Sequence, residues 1–561
     1  MDMVWNIFFM FGGVAAMMIG MKVMGNALEQ VAGKGMKKML GKITSNRFAG
    51  VGVGLAVTSI IQSSTATTVM LVGFVNIGLM TLVQATHVIM GANIGTTVTA
   101  HIVSLSGVGQ IDIGAIAAMI GCIGILMAML VKNEKVEHIG NILAGLGLIF
   151  VGLEFISTYA KAIMFVGGDK TQPHVWVKLI FQGDHFPLLL IVIGIILTAL
   201  VHSSSTITSL MVVLASIGVL TFENALFLAL GSNIGTCITS ILSSAGTQVN
   251  AKRTAIVHLL FNTFGCLIFL APLWIWKASV GGFFASLSGD VGQQIAIFHT
   301  AFNVVTTAVL LPFSKHVVKL ACAIIPENKV EKDDRFGFKF IDERLLSTPP
   351  IAVGNTKNEI IRMGGFAKEN INLAVEMLLN SNVDKTEIIS SNEEILNFLN
   401  KDITAYLTKL TSKRLSDEDD KKVGSYYHVV SDVERIGDYA ENIMEFAQRL
   451  RNEELSLSED AKKELKELLE TFNSLYEWSI SAFDERSLSM LPEVEKLEQK
   501  MDDLSAALEA RHIERVKTNS CSAQVGSVYL QTVSHLERVG DHIRNVALSI
   551  KHYRKSGNEN N

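Results

Sequence analysis

The sequence predicts an all-α protein of two unlike parts: a polytopic membrane helical bundle with inverted-topology repeats, then an antiparallel helical bundle outside the bilayer. Three observations predict it. Apolar windows of about 20 residues, long enough to cross a bilayer as helices, crowd the chain up to residue 325. A 48-residue stretch of that region recurs at an offset of 140. Beyond Pro326 the apolar runs give way to charged patterns with Leu, Ile and Val at three- and four-residue spacing.

Composition agrees. Of 561 residues 49% are hydrophobic and only 18% are charged, against roughly 25% charged in an average soluble chain. The net charge of −5 conceals an asymmetry: residues 1–330 hold 17 Lys/Arg and 11 Asp/Glu, the remainder 31 and 42. A collagen-like, disordered or disulfide-framework chain is excluded. The five cysteines show no CxxC pair or other metal-ligand spacing. Met3–Met24 has neither a basic n-region nor a small-residue cleavage site, so it reads as a retained membrane segment.

The candidate spans are 3–24, 63–82, 85–104, 111–131, 138–160, 203–222, 225–244, 254–277 and 293–312. Two shorter windows, 48–61 and 186–201, stop at Ser/Thr clusters and suit half-helices or re-entrant pieces. The repeat aligns Val57–Ser104 with Leu197–Ser244, 16 of 48 pairs being identical. Polar identities such as Ser63/Ser203, Thr68/Thr208 and Asn93/Asn233 argue against chance, because apolar bias favours matched Leu and Val instead.

Loop charge orients the repeats, since Lys and Arg concentrate on the cytoplasmic side. The expected loop 25–47 carries Lys34, Lys37, Lys38, Lys42 and Arg47, whereas 105–112 carries no basic residue. Lys252 and Arg253 follow the second repeat. The first repeat is thus expected to run from inside to outside and the second the reverse, with the N-terminus outside and the C-terminal part inside.

The sharpest chemical signal is Gln62-Ser63-Ser64-Thr65-Ala66-Thr67-Thr68 with its counterpart His202-Ser203-Ser204-Ser205-Thr206-Ile207-Thr208. Hydroxyls this dense inside apolar windows must be satisfied internally, because lipid offers no hydrogen bonds. One reading is interhelical bonding by scattered Ser/Thr. The other is an anion site, with N–H and O–H donors at a helix N-terminus and freed carbonyls for Na⁺. The Gly91–Gly95 and Gly231–Gly235 pairs predict close helix packing, but they also enclose Asn93 and Asn233 and run into Thr96 and Thr236. Packing alone does not ask for that amide, so these four residues are expected to line the central site. His258-x-x-x-Asn262 and His299-x-x-x-Asn303 are better read as buried polar pairs joining helices. No GxxxxGK[ST], GxSxG or HExxH motif supports an enzyme.

In the charged part, helical patterns cover 358–380, 391–411, 421–450, 459–485, 489–516 and 523–553. A second repeat, offset by 103, aligns Ser431–Asp438 with Ser534–Asp541. Its i,i+4 carboxylates, Glu434/Asp438 and Glu537/Asp541, are either a solvated face or a metal or anion site.

At these residues the chain resembles a known family. The doubled QSSTATT/HSSSTIT clusters followed by GANIGTT/GSNIGTC resemble the paired signature of the type II sodium–phosphate cotransporters. SDVERIGDYAEN and SHLERVGDHIRN resemble a PhoU-type regulatory domain, as in bacterial members of that family. The resemblance implies a transport domain over 1–325, a linker over 326–357 and a cytoplasmic PhoU-like domain over 358–556. It implies phosphate and sodium sites at Gln62, Ser63, Ser64, Thr65, Asn93 and Thr96, and at His202, Ser203, Ser204, Ser205, Asn233 and Thr236. A divalent or trivalent metal is implied at Glu434, Asp438, Glu537 and Asp541, with Glu498 and Asp502 as the family's additional acidic helix in one half and a looser Glu394 and Asp402 in the other. His202 departs from the pattern where Gln62 keeps it. The expected function is Na⁺-coupled symport of inorganic phosphate across the plasma membrane, with export or transport-free sensing as alternatives. The expected partners are phosphate, Na⁺, the lipid bilayer and a second copy of the chain, but no nucleic acid.

Overall fold

The computed structural model describes residues 2–41, 46–105, 113–131, 133–168, 172–327, 337–413, 415–518 and 521–553. The chain divides into two compact units, Met1–Lys329 and Val330–Asn561. Every named element in both is a helix.

In the first unit, α1 (Asp2–Gly41) is followed by α2 (Arg47–Ile61), α3 (Ser64–Asn76), α4 (Leu82–Gly95) and α5 (Thr97–Ser104). The antiparallel helices α6 (Ile113–Leu130) and α7 (Glu134–Met164) and the short α8 (Val175–Ile180) lead to the second copy. That copy is α9 (Pro187–Val201), α10 (Ser204–Ser216), α11 (Phe222–Gly235) and α12 (Cys237–Ser243). The unit ends with α13 (Val249–Ile275), α14 (Lys277–Leu287), α15 (Val291–Leu310) and α16 (Ser314–Ile324). Five helical stretches have the length and apolarity of membrane spans, among them Met3–Val31 and Val249–Ile275. This unit is a multi-pass membrane bundle.

The repeat is structural, down to its backbone angles. Gln62 and His202 end α2 and α9 in the left-handed region, at φ/ψ of 56/24° and 57/23°. Ser63 and Ser203 then cap α3 and α10, and Thr81 and Thr221 cap α4 and α11. Glycine sets the packing. Gly91 faces Val51 and Gly95 faces Leu55, so the two helices advance four residues together and α2 lies parallel to α4, with Gly54 set against Val88 and Ala92. Gly194, Gly231 and Gly235 do the same between α9 and α11. A Cβ on Gly91 would stand 1.9 Å from the Val51 carbonyl oxygen, and one on Gly231 2.0 Å from that of Ile191. The close-packing reading of both GxxxG pairs is therefore correct.

The windows 63–82 and 203–222 are not full spans. α3 and α10 have 13 residues each, about 20 Å at 1.5 Å per residue, against roughly 30 Å of hydrocarbon. Gly78 and Gly218, at φ of 71° and 82°, turn the chain directly into α4 and α11. Because α2 and α4 are parallel, α3 runs back against both, and the α2–α3 and α9–α10 pairs are re-entrant hairpins. The apolar run continued through the turn and hid it from the sequence. Two helices, α6 and α7, separate the repeats. With one span per repeat, the second must enter from the opposite face.

The expected loop 25–47 is also corrected: α1 stays helical to Gly41, so Lys34, Lys37 and Lys38 belong to a helix. Lys42 and most of the basic-free segment, residues 106–112, lie outside the described residues.

The second unit contains α17 (Pro349–Asn380), α18 (Thr386–Thr411), α19 (Asp417–Asn452), α20 (Glu459–Glu485), α21 (Leu491–Lys517) and α22 (Ala523–Leu548). Ile360, Met363, Ala367, Ile371, Ala374 and Leu378 show the buried stripe of α17 at three- and four-residue spacing. α17–α19 and α20–α22 form two three-helix units, joined where α19 packs on α22. Residues 337–342 are anchored to α17, where the Glu359 carboxylate accepts from the backbone N–H of Lys339 and Phe340.

Candidate functional site

The two hairpin tips carry the Ser/Thr clusters. Each N-cap hydroxyl accepts from the third helical N–H, Ser63 from Ala66 at 3.1 Å and Ser203 from Thr206 at 3.2 Å. Thr206 donates to Ser203 Oγ at 2.9 Å, and the other hydroxyls differ in whether they are already spent. Thr67, Thr68 and Ser209 donate back to carbonyls of their own helix, as interior Ser and Thr commonly do. Ser64 and Ser204 are buried, at 5% and 4% exposure, and Ser205 is buried beside them. Their hydroxyls and that of Thr65 have no protein partner among the described residues. They stand in the first turns of α3 and α10, where N–H groups and the helix dipole favour an anion.

The hairpin tips are braced in the same way. Thr99 on α5 donates to Gln62 Oε1 at 2.7 Å, and Thr239 on α12 meets His202 Nδ1 at 3.1 Å. α5 in turn packs on α10, and α12 packs on α3. Each tip is thus held by the helix that also touches the other repeat's Ser/Thr helix, which interlocks the halves. Thr99 and Thr239 escaped the sequence reading. They were legible, being one of the identical pairs in the repeat.

Asn93 and Asn233 do not behave alike. Asn93 Nδ2 donates to the Ile89 carbonyl at 2.8 Å. Asn233 Oδ1 instead accepts from His299 Nε2 of α15 at 3.1 Å, leaving a buried, unpartnered Nδ2. Thr96 and Thr236 donate to Ala92 and Ser232 carbonyls, both at 3.0 Å. Their protons are engaged, so what they can offer a ligand is lone pairs, which suit a hard cation. His258 meets Ser240 at 3.2 Å and Asn262 donates to Cys237 Sγ at 3.3 Å, as expected of polar pairs joining helices.

In the second unit the carboxylates cluster, but with a different partner from the one expected. Glu393, rather than Glu394 or Asp402, faces Glu434 and Asp438; burial, then Asp438, Glu441 and Glu434, push its pKa up to about 7. Burial, followed by neighbouring acids, raises Glu537 as well. Glu498 is paired with Arg544 at 3.3 Å. Among the described residues no three His, Cys, Asp or Glu side chains are grouped to hold a metal ion.

Two inverted hairpins thus present hydroxyls without a protein partner at helix N-termini, an arrangement whose polarity favours an anion. Comparison with known proteins makes the class specific. The Na⁺/Pi-cotransporter family model matches residues 16–158 and 174–288, and the PhoU domain model matches 360–447 and 465–550. The first unit is a Na⁺/Pi-cotransporter domain, and the second carries a PhoU domain. The chain is 24% identical over 544 residues to the "Putative inorganic phosphate export protein YjbB" of Escherichia coli K12, covering 96% of each chain. It is 33% identical over 140 residues to the sodium-dependent phosphate transport protein 2B of Pongo abelii, covering 24% of this chain and 20% of that one. A solved PhoU structure from Pseudomonas aeruginosa is similar at 19% identity and a TM-score of 0.34, over 36% of this chain and 95% of that one.

Proposed function

We propose that the chain moves inorganic phosphate with Na⁺ across the plasma membrane by alternating access, about a site shared by the two hairpin tips. The carrying observation is the recurrence of unpartnered hydroxyls, Ser64 and Thr65 in one repeat and Ser204 and Ser205 in the other, at capped helix N-termini. These donors and first-turn N–H groups receive phosphate oxygens. Gln62, His202, Ser63 and Ser203 shape the tips, while Asn93, Asn233, Thr96 and Thr236 line the site and lend oxygens to Na⁺. The N-terminus lies outside and the PhoU domain in the cytoplasm, where it regulates. Support for Na⁺ comes from the cotransporter family and from the likeness to the sodium-dependent 2B relative.

A second reading, phosphate export, is favoured by the likeness to YjbB along nearly the whole chain. Proteoliposomes loaded in either direction separate the possibilities. Na⁺-gradient-driven movement of labelled phosphate supports symport. Movement indifferent to Na⁺ sinks the coupling, and no movement at all leaves a sensor. Loss of phosphate from phosphate-loaded cells on expression supports export.

A further inference from the structure

The second unit breaks its own symmetry at one place. At the 103-residue offset, Asp432 corresponds to His535, Tyr439 to His542 and Phe446 to Ser549. Where the second half of α19 meets the first half of α22, the crossing is filled with rings. His535 stacks on Phe446 at 5.4 Å and 24° and lies 5.1 Å from Tyr439. At the symmetry-related crossing the phenylalanine is replaced by Ser549, and a cavity of about 650 Å³ opens. Asp432 lines it and accepts from His542 Nδ1 at 2.9 Å. Lys421, Ser425 and His428 line the α19 side at spacings of four and three residues, with Asn545 and Ser549 opposite. The filled crossing has Gln524 and Gln531 where the open one has Lys421 and His428. Space and basic side chains therefore appear together, on one side only.

We propose that this cavity binds a small phosphate ester of nucleotide size. Lys421 and His428 receive the phosphate group, and Asn545 and the Asp432–His542 pair face the organic part. Small-molecule pockets commonly span roughly 300–1,000 Å³, and orthophosphate would leave most of this one empty. The site does not depend on the transport reading, because ligand binding is measured without any flux.

The test uses the full chain in lipid nanodiscs, with equilibrium dialysis against labelled AMP, ATP and orthophosphate. Ser549→Phe refills the cavity with the residue its own repeat already accommodates, and Lys421→Ala/His428→Ala removes the two basic side chains. The expected result is saturable nucleotide binding, at least tenfold weaker in both variants, with unchanged thermal unfolding. Binding of orthophosphate with the same losses would assign the phosphate to the free ion. The proposal is overturned if neither anion binds saturably below about 1 mM, or if binding survives Ser549→Phe.

Discussion

At the scale of single residues, the division of the hydroxyls into tied and unpartnered sets makes the site testable. Ser64→Ala and Ser204→Ala each remove a donor to a desolvated anion, a charge-assisted bond worth about 1.5–3 kcal/mol. Apparent phosphate affinity should fall at least about tenfold in each. Ser209→Ala, whose hydroxyl is spent on the Ser205 carbonyl at 2.7 Å, should leave affinity unchanged. Equal effects from all three would return Ser64 and Ser204 to a packing role. A second residue-scale prediction concerns Glu393, pushed up to about 7 by burial and by Asp438, Glu441 and Glu434. A carboxyl whose pKa is higher folded than unfolded holds its proton more tightly in the native state. It therefore stabilises the fold below about pH 4.5, and that stability is lost as pH rises through about 7. Glu393→Gln keeps the acceptor for Asn397, whose amide donates at 3.2 Å. It should raise the unfolding free energy at pH 8 by about 1–2 kcal/mol after allowing for solvent screening, and change it little at pH 4.5. Thermal unfolding in chelator-containing buffer reads this. An unchanged pH slope would show that the native environment of Glu393 is not what titrates.

At the scale of elements, the glycines decide whether the hairpins can form. Gly231→Ala puts a Cβ about 2.0 Å from the Ile191 carbonyl oxygen, a backbone atom that cannot rotate away, so α9 must separate from α11. The folded, detergent-stable fraction should fall several-fold. Gly282→Ala, which meets nothing within 4 Å, should fold as the parent does, and size-exclusion profiles of the two variants check this. These glycines also show how far the sequence could be read. Gly91 and Gly231 announced tight packing, because GxxxG has a simple steric meaning. The polar identities announced the repeat, and the ends of α2 and α9 were visible in the abrupt change from apolar to hydroxyl residues. The reversal of α3 and α10 was not visible. It rests on Gly78 and Gly218 at positive φ inside runs that stay apolar on both sides, and hydropathy carries no record of direction. Nor did charge counting reveal that α1 continues as a helix through Lys34 and Lys37, since basic residues are good helix formers. Thr99 and Thr239 lay unremarked among the identities because a bond between distant helices leaves no local pattern.

At the scale of the whole molecule, the two units make separable demands on the chain. Both Ser/Thr clusters, both asparagine motifs and, among the described residues, every apolar helix long enough to span belong to Met1–Lys329. The helices of the second unit bury their stripes against one another, as Ile436, Ile443, Val539 and Ile543 do on α19 and α22. A chain ended after Lys329 should therefore insert, stay folded and carry phosphate at a rate within a few-fold of the parent. Its response to cytoplasmic conditions should disappear, because the PhoU helices and the Lys421–Ser549 cavity are gone. Na⁺-driven flux would be measured for full and shortened chains matched for amount in the same vesicles, with and without nucleotide inside. Retained flux with loss of any nucleotide effect places regulation in the second unit and transport in the first. Complete loss of flux by a stable, correctly inserted truncation would make the PhoU domain an obligatory part of the carrier, and two compact units would then not mean two independent functions.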